Sequence, residues 1–232
     1  ARAHLAALQG ALRQADDGVG IILDALDAAH LADDTLVLFN TDHGVELPGA
    51  KWTLYDPGIG VAFVMRYPGG GVAGGRRCDW MLGNVDFLPT LYDLLDLPRP
   101  DDLQGVSFVD ACRGRAAGGT SPREVVFGQW VDGLNFSART PDYKLIRNDA
   151  GVDSYGEPCP PVELYDLALD PLELSNVADE PAYADALTQM QDHQDGWLAT
   201  QGDPLADGPL QGEGLAARFA DYRRRYESAR GI

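Results

Sequence analysis

The sequence predicts an α/β protein, with part of a helix-sandwiched sheet followed by a small antiparallel α+β subdomain. Three observations predict it. Leu5, Leu8, Leu12, Val19, Ile22, Leu23 and Leu26 recur at three- and four-residue steps, as on one face of a helix. That segment leads through "LADDT" into residues 36–40, which are apolar in succession, as in a central strand covered on both faces. From about residue 113 the apolar residues fall instead into short alternating runs separated by turn residues, the pattern of an antiparallel sheet.

In chain order, the first helix is expected over residues 4–31, weakened in its middle by Gly18 and Gly20. A helix feeding a buried strand is half of a βαβ unit, so the first sheet is expected to be parallel or mixed. Residues 60–68, "GVAFVMRYP", form a second strand closed by Pro68 and a glycine-rich run. Residues 84–98 read as a helix that Asp86 can cap. Pro89 is tolerated in its first turn, Leu88, Leu91, Leu94 and Leu95 supply its core face, and Pro98 marks its end. "RGRAAGGTSPRE" is a flexible connection. "VVFGQW", "LNFSART", "YKLIRN" and "ELYDL" are strands, and residues 182–200 are a helix packed on them. The tail carries a helix, "ARFADYRRRYESAR", whose three consecutive arginines read as a solvated face. The expected divisions are 1–115, 116–202 and 203–232.

The net charge of −18 argues against nucleic acid or an anionic membrane as partner, since both require clustered Lys and Arg. It also means that an anionic substrate must be held by local cations or a metal. No apolar run reaches bilayer-spanning length and no signal peptide opens the sequence, so a soluble chain of open compartment is expected. Cys78, Cys112 and Cys159 form no CxxC pair and are read as buried or free thiols.

Chemistry concentrates in "NTDHGVELPGAKWTLYDPG". In open α/β sheets, ligands gather beyond the carboxyl ends of strands, and Asp42 and His43 fall at such an end. A carboxylate oxygen beside an imidazole nitrogen is half of a metal site, and Lys51 can hold a phosphate- or sulfate-like oxygen as a point charge. Trp52 can pack beside a sugar ring or serve as a core or rim aromatic. Asp56 is read as capping its turn, and Arg66 as pairing with a nearby carboxylate or contacting substrate. Gln129, Trp130, Arg139 and Lys144 are read mainly as structural members of the small sheet. His4 and His30, without partner motifs, are read as surface or capping residues, and His193, among polar residues of the late helix, as solvated.

The stretch from "LADDTLVLFN" through "RYPG" resembles the later active-site segment of the sulfatase family, in the alkaline phosphatase superfamily. "NVDFLPTLYDLLDLP" resembles that family's next helix, and "RTPDYKLIRN" and "ELYDLALDPLELSNVAD" resemble its C-terminal subdomain. Pro48, Lys51 and "LYDPG" are most similar to sulfamidase-like members, which act on N-sulfated glucosamine. The resemblance implies an alkaline-phosphatase-like sheet sandwiched by helices, with 1–115 the C-terminal part of the catalytic domain. It also implies Asp42 and His43 as metal ligands, Lys51 as a catalytic, sulfate-binding residue, and a sulfated glycan as substrate. Ca²⁺ is the implied ion; the imidazole of His43 also suits Mn²⁺ or Zn²⁺. The family's nucleophile is a formylglycine made within C/S-x-P-x-R. None of the three cysteines lies in that motif, so a nucleophile-bearing N-terminal half is expected to lie outside this chain. A phosphate or phosphonate ester hydrolase of the same superfamily is the alternative expectation, as is a non-catalytic fragment.

Overall fold

A computed structural model describes residues 2–115, 121–130, 135–148, 151, 158–201, 220 and 224. It divides into two compact units. One comprises Ala1–Asn40, Phe63–Asp79 and Val85–Thr120. The other comprises Thr41–Ala62, Trp80–Asn84 and Ser121–Ile232.

The first unit opens with α1 (Arg2–Ala28). Gly18 and Gly20 do not break it. Leu8, Val19, Leu23 and Leu26 form its half-buried stripe, whereas Leu5, Leu12 and Ile22 of the expected face are exposed. His30 ends the segment at φ 57°, a left-handed conformation common just past a helix terminus. β1 (Val37–Asn40) and β2 (Phe63–Arg66) then pair antiparallel, Val37 opposite Arg66 and Asn40 opposite Phe63. This corrects the expectation of a parallel or mixed first sheet. Parallel pairing needs a crossover element, but the connection here contains only the four-residue α2 (Asp56–Ile59) and folds back on itself. Nor is the strand pair covered on both faces among the described residues: Phe39 and Val64 are exposed.

The rest of this unit packs around α3 (Phe87–Leu94) and the short α4 (Val109–Cys112). Phe63 meets Phe87 and Phe108 edge-on, with ring centroids 5.6 and 5.8 Å apart. Pro89, Thr90 and Leu94 are the buried face of α3, while Leu88 and Leu95 are exposed, a correction to the expected leucine face. Asp86 is another: its side chain makes no cap hydrogen bond and instead accepts the Val106 N–H at 2.8 Å. Thr90 completes that brace, donating to the Asp86 carbonyl at 2.6 Å and accepting from the Phe108 N–H at 3.0 Å. Arg66 pairs with a carboxylate, Asp27, at 3.4 Å. The three cysteines form no disulfide. No described helix is long and apolar enough to cross a membrane.

The second unit is built on a four-stranded antiparallel meander. Its strands are β3 (Val126–Trp130), β4 (Asn135–Arg139), β5 (Tyr143–Asn148) and β6 (Val162–Asp166), in that spatial order. Period-two alternation gives the sheet two different faces. On one, Ala138, Leu145 and Leu164 form a core with Met190 of α5 (Ala184–Gln201), while Phe136 packs with Leu198 and Trp197 of the same helix. The other face carries Lys144, Ile146, Asn148, Glu163 and Tyr165, and it too is buried. His193 lies on α5 and is half-buried rather than solvated. The expected tail helix lies almost wholly outside the described residues, as do Leu134 and part of the 113–124 connection.

Candidate active site

Residues 41–62 form a long loop whose two limbs are stitched together. The Thr41 N–H donates to the Ala62 carbonyl at 3.1 Å, and the Gly44 N–H to that of Gly58 at 2.7 Å. The glycine of Asp-His-Gly is required by this approach: a Cβ on Gly44 would lie 1.7 Å from the Pro57 carbonyl oxygen. Residues 45–51 then curl back, and the Lys51 N–H donates to the Val45 carbonyl at 3.0 Å. This sets the Lys51 backbone against Val45, two residues past the Asp42–His43 pair.

Asp42 is highly exposed. Its Oδ1 accepts its neighbour's backbone N–H at 3.0 Å, and Oδ2 lies 3.4 Å from His43 Nε2. On the other side of the ring, Nδ1 is 2.8 Å from the Gly44 carbonyl. A carbonyl only accepts, so Nδ1 carries the proton in this contact, and Nε2 of the neutral ring presents a lone pair beside a carboxylate oxygen. Two lone-pair atoms side by side call for a cation, either a proton or a metal ion. The donor set therefore fits a divalent ion as far as it goes. Among the described residues, however, no group of three or more His, Cys, Asp or Glu is arranged to hold a metal. Asp42 and His43 make a pair and not a complete shell.

Lys51 is mostly buried, with Nζ 3.7 Å from Glu46 and 5.8 Å from the Trp52 ring centroid. Trp52 sits at φ 70°, a strained conformation for a bulky residue. Its ring stacks on Trp130 of β3, with centroids 6.4 Å apart and planes inclined by 23°.

What holds this loop in place went unread in the sequence. Asp56 does not cap its turn with its side chain. Its carboxylate receives Arg139 Nε at 3.0 Å and Nη2 at 3.0 Å, and the buried ammonium of Lys144. Lys144 is also 2.6 Å from Glu173 Oε1, as an ion pair without hydrogen-bond alignment, while Glu173 Oε2 accepts the Asp56 N–H at 2.6 Å. Burial alone pushes the Asp56 carboxyl up, but Arg139 and Lys144 together outweigh it and hold it below the usual range. For Glu173 burial wins over Lys144, and its carboxyl is raised. Beside this quartet, the phenols of Tyr55 and Tyr165 donate to Glu163 Oε2 at 2.8 and 2.5 Å, and Asn148 donates to Oε1 at 2.7 Å. Burial and then the Glu163 carboxylate raise both tyrosines well above their ordinary value. A signal for this network existed: Lys144 is a lysine among strand residues, and Asp56 lies in the turn after Lys51.

Residues 50–196 match the family N-sulphoglucosamine sulphohydrolase, C-terminal, and residues 2–97 match the family Sulfatase. The chain belongs to the sulfatases. It is 27% identical to human N-sulphoglucosamine sulphohydrolase over 90% of this chain and 50% of that protein. The backbone is similar, with a TM-score of 0.70 and 23% identity, to a protein solved in complex with its substrate D-glucosamine-2-N,6-O-disulfate. That match covers 84% of this chain and 39% of that one. A phosphonate monoester hydrolase of Agrobacterium radiobacter matches at a TM-score of 0.63 and 26% identity, over 80% of this chain and 39% of that one. The sulfatase chain spans half or less of the length of each of these relatives. The fold is thus the alkaline-phosphatase-like one; Asp42 and His43 lie in the Sulfatase match alone, and Lys51 lies in the stretch that both matches share.

Proposed function

We propose that this chain supplies the sulfate-holding part of a sulfuric ester or sulfamate hydrolase acting on sulfated sugars, N- or O-sulfated glucosamine first among them. The observation that supports it is the 41–62 loop. It curls the Lys51 backbone onto Val45, two residues past Asp42–His43, within a chain that matches the C-terminal family model of N-sulphoglucosamine sulphohydrolase. Residues 1–115 are proposed as the C-terminal part of the catalytic domain, 116–202 as its small sheet-and-helix subdomain, and 203–232 as a tail. The remaining half of the catalytic domain is its proposed partner.

In this reading Lys51 holds the non-bridging sulfate oxygens, and its role is electrostatic: it fixes charge in place without moving a proton. The tether from Asp56 to Lys144 and Arg139 keeps the loop from relaxing around the anion. Asp42 and His43 would hold a divalent ion, Ca²⁺ first with Mn²⁺ and Zn²⁺ as alternatives. Such an ion supplies positive charge beside the sulfate oxygens. The contact from His43 Nδ1 to the Gly44 carbonyl orients the ring so that Nε2 faces that position. Attack on sulfur belongs to the family's formylglycine, for which this sequence has no motif.

The likeness to a phosphonate monoester hydrolase supports a second reading, a phosphonate ester hydrolase. Sulfate release from N-sulfated glucosamine by this chain together with the nucleophile-bearing half of the catalytic domain, measured beside hydrolysis of a phenyl phosphonate ester by the same assembly, separates the two. The proposal expects faster sulfate release and its loss in Lys51→Ala. Faster phosphonate cleavage, or an unaffected Lys51→Ala variant, overturns it.

A further inference from the structure

We propose that Trp130 is a sugar-contacting residue. In this proposal its indole N–H donates to an oxygen of the sugar that carries the sulfate, and the stacked Trp52–Trp130 pair forms an apolar wall beside Lys51. This rests on the functional reading above and extends it from the sulfate to the ring bearing it.

Four observations converge on this wall. Trp130 Nε1 is buried and has no acceptor. A desolvated N–H without a partner is uncommon in folded proteins, because it forgoes the hydrogen bond it made to water. Trp52 holds a left-handed backbone at φ 70°, and strain of this kind in a bulky residue concentrates where a ligand is gripped. The two rings stack with centroids 6.4 Å apart, and the Lys51 ammonium lies 5.8 Å from the Trp52 ring, so cation and aromatic surface adjoin. Trp130 also sits on the same face of the sheet as the residues that tether the loop. Two positions earlier, a Cβ on Gly128 would lie 2.7 Å from Ser137 Oγ of the neighbouring strand and 3.2 Å from Leu54 Cδ2 of that loop. A sugar ring matches this surface because it has an apolar C–H face for stacking and a rim of oxygens for the N–H. An anchor serving only the core has a different signature. Trp130 does pack on the cluster of Leu54, Ile146, Tyr165 and Leu167, but that packing leaves its N–H unanswered.

The chain has four tryptophans, so indole ¹⁵N–¹H spectra of the protein resolve few signals, and Trp130→Phe assigns the one in question. Titration with glucosamine N-sulfate is expected to move the Trp130 indole signal downfield as it gains an acceptor. Trp130→Phe, which keeps an aromatic ring but removes the N–H, is expected to weaken that binding by about 5- to 10-fold. It should leave inorganic sulfate binding unchanged, with only the moderate fall in melting temperature expected from trimming a ring packed on Leu54, Ile146, Tyr165 and Leu167. An unmoved Trp130 signal at the highest sugar concentration overturns the proposal, as does wild-type affinity in Trp130→Phe. Inorganic sulfate with the wild type and Lys51→Ala tests the Lys51 reading separately. If sulfate binds both equally, that reading fails, while the Trp130 signal still decides this one.

Discussion

Lys51 and Gly44 carry the consequences at the scale of single residues. Lys51 is anchored through its backbone N–H, and its ion pair with the exposed Glu46 is long at 3.7 Å, a pair that contributes little to stability. In the proposed assembly with the nucleophile-bearing half, replacing it with alanine is expected to lower kcat/KM for a sulfated sugar by about 10²- to 10³-fold, the range for losing one preorganised oxyanion partner. The melting temperature should stay near wild type. A drop in both together would make Lys51 structural. Gly44 behaves oppositely. A Cβ there would collide with the Pro57 carbonyl, a backbone atom that cannot swing aside. Gly44→Ala is therefore expected to cost about 1–3 kcal/mol, the usual penalty of overpacking, read from the denaturant midpoint. Asp-His-Gly was legible in the sequence as a strand-end motif. The reason for its glycine was not, because Pro57 lies thirteen residues further on.

At the scale of elements, the small sheet has two buried faces with different occupants. Alternation in "YKLIRN" and "ELYDL" predicted strands, which form as Tyr143–Asn148 and Val162–Asp166. Alternation alone, however, reads as one apolar and one solvated face; nothing within a single strand says that the polar face is covered as well. That requires the 50–59 segment, which brings Tyr55 and Asp56 to Glu163, Lys144 and Arg139 from about a hundred residues away. Lys144→Met leaves Glu173 buried without its cation and is expected to cost about 3–5 kcal/mol. Adding Glu173→Gln should recover much of that loss, and a double-mutant cycle measured by chemical denaturation reads the coupling. The pH dependence follows from Asp56. Its carboxyl is held below the unfolded value of about 3.9, so its contribution is fully present above that pH and is lost as pH falls through the folded value. Asp56→Asn should accordingly be less stable than wild type at neutral pH, with the difference closing in strong acid. Glu173, raised by burial, works the other way: its ionised form opposes folding above its folded value and is relieved by protonation. Parallel stability curves for wild type and Asp56→Asn down to the acid limb would contradict the assignment of that limb to Asp56.

For the whole molecule, the helix-then-strand opening and the later antiparallel meander were legible, because periodicity over many residues reports which face is covered. The direction of the first strand pair was not. Pairing sense depends on the connection, and the 41–62 loop folds back as a hairpin where a crossover was expected. Asp42, His43 and Lys51 all lie within that fold-back, so the hairpin that sets the pairing also carries the proposed site residues. The molecule's charge of −18 shapes how the account must be tested, because such a surface draws divalent cations to many places. Only a response that depends on the strand-end pair is informative. The measurement that tests the account most directly is thermal melting with and without Ca²⁺, Mn²⁺ or Zn²⁺, on the wild type and on an Asp42→Ala/His43→Ala double variant. The account predicts a rise in melting temperature with at least one of these ions in the wild type, lost in the double variant, since an ion that binds only the folded state stabilises it. No rise in the wild type, or an equal rise in both proteins, would contradict Asp42 and His43 as the ligands that bring a cation to the sulfate.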